Sequence, residues 1–186
     1  MEMKLPFENT ARAVITKKDS ETSPKFGCEP EKRQIMEHLD YGIVNIDKPK
    51  GPTSHQVAAY VQKIMGIRKA GHSGTLDPGV TGVLPIALSK ATKITHSLLL
   101  AGKEYTGVMH FHRDISEDEI RNACKGFVGE ITELPPLKSA IKRVKRKRTV
   151  YYLEIPETEA RDALFITGVE AGTYIRKLVH DIGKKA

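Results

Sequence analysis

Between Gly71 and Gly82 the chain reads GHSGTLDPGVTG, with glycine at 71, 74, 79 and 82, proline at 78 and a single acid, Asp77. A helix does not survive that glycine density, because each glycine gives up more backbone freedom than any other residue. The VLPIAL that follows is short and apolar. It reads as a strand, and its Pro85 suits an edge or a strand end. The chain must therefore accommodate a glycine loop with one carboxylate that runs straight into an apolar strand.

The flanking segments mix both periods. YGIVNID, from Tyr41, reads as a strand, and KPKGPTS as the loop after it. Ser54 or Thr53 caps a helix through HQVAAYVQKIMG, with Val57, Val61, Ile64 and Met65 on one face and Gly66 as its stop. KATKITHSLLLA reads as a helix, and KEYTGVMHFH as a strand with Tyr105, Gly107, Met109 and Phe111 on one side. SEDEIRNACKGF opens with a capping box, Ser116 and Glu119. RTVYYLEI and DALFITGVE read as strands, and GTYIRKLVHDIG as a helix burying Ile175, Leu178, Val179 and Ile182. No regular βαβ alternation runs through this order. The expected class is α+β around a mainly antiparallel sheet. Residues 1–40 are polar and irregular and read as an arm; the globular pattern spans residues 41–186.

The 186 residues allow one sizeable core or a domain with an arm. Thirty Lys and Arg against 23 Asp and Glu leave a net charge of +7, which points to polyanions, nucleic acid before acidic membrane. KSAIKRVKRKR, residues 138–148, concentrates seven of those cations with no acid. It is either a solvated basic hairpin or a phosphate-contacting one. Cys28 and Cys124 are far apart and form no CxxC, which argues against a zinc ribbon or a disulfide framework and suits a reducing compartment. No apolar run approaches membrane-spanning length, and the first residues lack a signal-peptide core.

Four chemistries compete for the loop. A phosphate-binding P-loop needs Lys-Ser/Thr at the helix entry, and none follows. A metal site at His72 and Asp77 lacks further ligands nearby in sequence. A tight turn capped by Asp77 and a carboxylate held ready as nucleophile or general base both remain open on the residues alone.

Taken together, four segments resemble the TruB-type pseudouridine synthases. GHSGTLDPGVTGVLPI is similar to their catalytic loop, IDKPKGPTSH to their first motif, KEY to their second and AGTYIRKLVHDIG to their third, all in the family's order. The arm TSPKFGCEPEKR and the stretch LPPLKSAIKRVKRKRTVYYLEI resemble the archaeal and eukaryotic guide-RNA branch, the dyskerin-like enzymes. The resemblance implies an isomerase without cofactor or metal, turning uridine into pseudouridine at a position chosen by a box H/ACA guide RNA. It implies catalytic roles for Asp77, Tyr105 and Arg176, converging in one cleft. Asp77 acts as nucleophile at the anomeric ribose carbon or as base at its neighbour. Tyr105 stacks on the detached uracil, and Arg176 keeps the carboxylate ionised. It implies substrate-binding or supporting roles for His72, Lys48, Gly74 and Leu178, and RNA contact by Lys142, Arg143, Lys145, Arg146, Lys147 and Arg148. The partners it implies are the guide, a target rRNA or tRNA, a small zinc-ribbon protein, a small β-barrel protein and a kink-turn-binding ribosomal-type protein, with no membrane. The compartment it implies is cytoplasmic for an archaeal-like protein and nucleolar for a eukaryotic one. A stand-alone tRNA-modifying enzyme and a non-catalytic RNA-binding scaffold are the alternatives. The family's catalytic domain continues past the third motif into a C-terminal PUA domain. The stretch up to Ala186 is therefore expected to be an incomplete catalytic domain, marginally stable and weakly active alone.

Overall fold

The computed structural model describes residues 3–21, 23–135 and 143–186. Its elements are α1 (Ile35–Tyr41), β1 (Ile43–Lys48), α2 (Ser54–Ile64), β2 (Ala70–His72), β3 (Gly82–Leu88), α3 (Thr95–Leu100), β4 (Lys103–His110), α4 (Glu117–Lys125), β5 (Gly129–Glu133), β6 (Arg146–Glu159), β7 (Asp162–Val169) and α5 (Ile175–Lys185). Short 3-10 turns sit at Pro6–Asn9, Pro30–Lys32 and Ser89–Ile94. The chain folds as two compact units, Ala13–Leu99 and the pair Met1–Arg12 with Leu100–Ala186. Every strand pairing is antiparallel, as the mixed pattern implies, but the strands form two sheets rather than one.

In the 13–99 unit the sheet order is β1-β3-β2. Val57, Ala58 and Val61 of α2 pack on Leu84, Ile86 and Leu88 of β3. Thr53 and Gln56 form the capping box that starts α2, and Gly66, at φ +62°, ends it in the left-handed region. The buried stripe centres on Ala58, so Ile64, expected inside, is 79 % exposed, and Met65 lies outside with it. Pro85 is not on an edge, because β3 is the central strand. Its carbonyl accepts the Ser73 amide at 3.2 Å, just beyond the last β2 pair, His72 with Ile86. Both backbone groups of a strand residue point to the same side. The donor that proline lacks would thus face the place where the short β2 has already ended.

In the other unit the order is β4-β7-β6-β5. Met109, Val150, Ile155, Ala163, Phe165 and Val169 form one face and meet Ile120 and Cys124 of α4 and Leu178 and Ile182 of α5. Ser116 and Glu119 make the expected capping box of α4. Burial in this core pushes the Cys124 thiol up to about 11, so it is packing rather than reactive sulfur. β6 bulges twice, between Val150 and Tyr152 and between Glu154 and Glu157, and the second irregularity takes up Pro156 where β5 no longer pairs. Two cross-strand pairs set aromatic rings over bare backbone, Phe165 over Gly107 and Tyr152 over Gly168. The Tyr152 hydroxyl donates to the Glu104 carboxylate. Burial and that carboxylate raise the phenol above its usual range.

A Cβ on Gly168 would lie 2.3 Å from the Tyr152 ring, so Gly168→Ala should destabilise the protein by about 1–3 kcal/mol through overpacking, read from denaturant melts. Gly27→Ala, where no described heavy atom lies within 4 Å, should leave the midpoint unchanged.

Candidate active-site loop

The connection from β2 to β3, residues 73–81, is the glycine loop, and Asp77 sits half-buried within it. Its neighbours on both sides are tied. Leu76 donates its amide to Ser54 Oγ at 2.9 Å, and Ser54 Oγ donates back to the Leu76 carbonyl at 3.2 Å. Ser54 is 1 % exposed at the first position of α2, so this exchange fixes the loop to a helix end. The Pro78 carbonyl accepts the Gly51 amide at 2.8 Å, and the Val80 amide closes a turn onto the Asp77 carbonyl at 3.0 Å. Pro78 at the second position of that turn presets its φ. Leu76 also reaches the apolar core under α2. The backbone that carries the carboxylate is therefore held by packing and by hydrogen bonds from two other segments, as a preorganised group requires.

Lys48 makes the third tie. It occupies the last inward position of β1, after Val44 and Ile46, and is fully buried. Its Nζ donates to the Val80 carbonyl at 2.8 Å and to the Pro49 carbonyl at 2.9 Å. One ammonium thus joins the end of β1 to the far arm of the loop. His72 closes the near arm, with Nδ1 2.7 Å from the Gly74 carbonyl. Of the residues singled out in the sequence, Gly74 and Asp77 lie in this loop, and His72 and Lys48 brace it from β2 and β1.

The glycines divide into two kinds. Gly82, at φ +144°, needs to be glycine for its backbone. Gly74 and Gly79 do not have positive φ, and no described heavy atom lies within 4 Å of where their Cβ would be. Neither backbone nor packing calls for glycine at those two positions. A ligand approaching the backbone closely would.

Tyr105, Arg176 and Leu178 belong to the other unit. Tyr105, opposite Thr167 on β4, is half-buried against the core. Arg176 lies in the first turn of α5 with an exposed side chain, and Leu178 is core. Leu178 supports the helix by packing.

The basic run separates into parts. Lys142 lies outside the described residues. Arg143 and Lys145 are exposed ahead of β6. Arg146 pairs with Glu133 across the β5–β6 ladder, and Lys147 meets Glu130 at 2.8 Å, which raises its pKa. Arg148 is turned inward, its side chain only 22 % exposed, with Nη1 3.5 Å from Glu170. Glu133 is a residue the sequence reading did not single out. It is buried at the end of β5, and its Oε2 accepts the Tyr174 amide at 3.1 Å at the start of α5. The period-2 pattern of GEITE puts Glu133 on the inward side with Ile131, a signal available once β5 is recognised as a strand.

Comparison with known proteins gives concordant matches. The family described as TruB family pseudouridylate synthase (N terminal domain) matches residues 62–175, and the DKCLD (NUC011) domain matches residues 2–58. A protein of Methanopyrus kandleri named "Probable tRNA pseudouridine synthase B" is 55 % identical over 181 residues, covering 97 % of this chain and 53 % of that protein. One of the same name from Pyrococcus abyssi is 57 % identical over 173 residues, covering 92 % and 52 %. A solved chain described as "Crystal Structure of a Cbf5-Nop10-Gar1 Complex" superposes with a TM-score of 0.89 at 54 % identity, over 97 % of this chain and 55 % of that one. Another, "Structure of H/ACA RNP bound to a substrate RNA containing 2'-deoxyuridine", superposes with a TM-score of 0.83 at 51 % identity, over 95 % and 53 %. The chain thus spans about half the length of the relatives it matches.

Lys48→Met should cost about 1–3 kcal/mol for each carbonyl it strands, read from chemical denaturation. Gly74→Ala and Gly79→Ala should leave stability within roughly 0.5 kcal/mol of the parent yet lower turnover, since their open space is free in the fold. Unchanged turnover would mean that the bare backbone serves no ligand.

Proposed function

This chain belongs to the TruB family of pseudouridylate synthases, and we propose that it carries active-site machinery for converting uridine to pseudouridine in RNA at sites chosen by an H/ACA guide. The observation that carries this reading is the bracing of Asp77, whose neighbours are tied to Ser54, Gly51 and Lys48 within a loop of the family's sequence. A carboxylate whose backbone is held this firmly suits a step in which one atom must meet one ribose carbon. In this reading residues 41–186 supply part of the catalytic domain, and residues 1–40 an arm.

The reaction balances without cofactor. On one route Asp77 attacks C1′, the C1′–N1 bond breaks and uracil leaves with the bonding pair. The base turns, C5 bonds to C1′ and the carboxylate is displaced. On the other, Asp77 takes the C2′ proton as uracil departs and returns it after C5 has bonded. In both, C5 loses its proton and N1 gains one, so product and substrate are isomers. Tyr105 offers a ring face to the uracil and a hydroxyl for the C5 proton. Arg176 supplies the cation of the catalytic set. His72, Gly74, Lys48 and Leu178 bind or support, and the target base leaves its stack to be reached.

The solved relative described as an H/ACA RNP bound to a substrate RNA supports guide dependence. The partners the family resemblance implies are the guide RNA, its target, a small zinc-ribbon protein, a small β-barrel protein and a kink-turn-binding protein; the solved relatives' descriptions name Nop10, Gar1 and a substrate RNA. The relatives' printed name, tRNA pseudouridine synthase B, favours a second reading, a stand-alone enzyme acting on tRNA. Among the described residues no helix is long and apolar enough to cross a membrane. The reading carries a cytoplasmic location, or a nucleolar one in a eukaryote.

In the full-length protein, Asp77→Asn should abolish pseudouridine formation while guide-RNA affinity stays unchanged. Substantial residual turnover would move the chemistry to another residue. Turnover of tRNA without a guide would select the stand-alone reading. Reversing charge at Arg143 and Lys145 should weaken RNA binding across sequences and lower the salt slope by about one for each phosphate no longer neutralised.

A further inference from the structure

Residues 170–176 turn from β7 into α5 and deliver Arg176 into the first turn of the helix. Side chains from outside that turn hold it. Tyr174, the N-cap of α5, makes no side-chain capping bond. Glu133, 41 residues earlier, accepts its amide instead and so serves as a cap from a neighbouring strand. The Arg148 guanidinium lies across Gly172, with Nη2 3.4 Å from where a Cβ would be, and Gly172 itself has φ +82°. Arg148 also reaches Glu170, whose Oε2 accepts the Thr149 amide at 3.0 Å.

This clamp is not what stability alone would select. Glu133 is 2 % exposed, and burial pushes its carboxyl up. The Tyr174 amide and the charges of Arg148 and Lys177 oppose that rise, while Asp181 adds to it. Among the described residues, Glu133 Oε1 and Arg148 Nε are buried without a hydrogen-bond partner. Unsatisfied buried charge is expensive, and an apolar pair of the same volume would be as stable or more so. Geometry explains what the charges achieve: both act on the backbone just ahead of Arg176.

We propose that Glu133 and Arg148 are positioning residues, which fix the entry to α5 and thereby aim Arg176. The inference rests on the reading of Arg176 as the cation of the active site. It also moves Arg148 out of the RNA-contacting set in which its sequence neighbours place it.

The test uses the full-length protein assembled with guide and target RNA, measured in single turnover. Glu133→Ala should lower the rate by about 100-fold, the scale of a small misplacement at a reacting centre, with RNA affinity unchanged. Glu133→Gln keeps an acceptor for the Tyr174 amide and should restore most of the rate. Adding Glu133→Ala to Arg176→Ala should slow the reaction no further, because both act through one group. Arg148→Ala should lower the rate and leave the salt slope of RNA binding alone, unlike charge reversal at Arg143 and Lys145. A wild-type rate in Glu133→Ala, additive losses in the double variant, or a changed salt slope in Arg148→Ala would overturn the proposal. Hydrogen exchange reads the clamp without chemistry: amides 174–178 should exchange faster in Glu133→Ala and normally in Glu133→Gln. Unchanged exchange would sink the clamp, whereas faster exchange in a protein whose rate ignores Arg176→Ala would sink the reading of Arg176.

Discussion

A buried ammonium organises the unit that holds the glycine loop. Lys48 has no contact with solvent and divides its charge between two backbone carbonyls, one beside it and one 32 residues away. Removing a lysine head from water is costly unless its donors are met, and here at least two are. The return is geometric. The end of β1 cannot shift without moving Val80, and Val80 belongs to the same turn as Asp77. Ser54 does the same on the other side of Asp77 with a hydroxyl instead of a charge. A loop rich in glycine is thus made rigid by tethering its carbonyls and amides, without filling the space that side chains would occupy.

The second unit solves the matching problem for a helix. Arg176 is exposed in a first turn whose own N-cap makes no side-chain capping bond, and strands β5 and β6 provide anchoring from outside. Both devices place charge where a sequence pattern would expect an apolar residue. Lys48 ends the inward row of β1, and Glu133 ends the inward row of β5.

Much of this was legible in the residues. The capping box at Ser116, the alternation through Tyr105 and Met109, and the apolar stripe at Leu178 and Ile182 each read directly as element and face, because local spacing dictates them. The family resemblance rested on four motifs and agrees with the matches to known proteins. What did not read were features decided by distant partners. β2 is three residues long at the edge of the glycine loop, and β5 is short, polar and exposed on alternate positions, so neither carries a strong local signal. Pro85 was expected on an edge or at a strand end because proline lacks a donor; it lies inside the central β3, where the early end of β2 gave that missing donor somewhere harmless to face. The basic run read as uniform charge, but the sheet register turned Arg148 inward and paired Lys147 with Glu130. Charge density is visible in a sequence, whereas the direction of each charge depends on the strand beside it.

One unit is assembled from two stretches far apart in the sequence, 1–12 and 100–186. Leu5 is 7 % exposed and packs at Gly102 beside Tyr151, while the whole 13–99 unit is encoded in between. On a ribosome adding about 5–20 residues per second, Leu5 emerges some 5–20 seconds before the first of its neighbours is made. By the end of that interval the whole intervening unit has been made, and until then the leading segment has nothing of its own unit to bury against. The order of synthesis therefore sets an order of assembly, in which the unit that holds Asp77 can mature first and the unit that holds Arg176 closes only after it has recaptured the segment around Leu5.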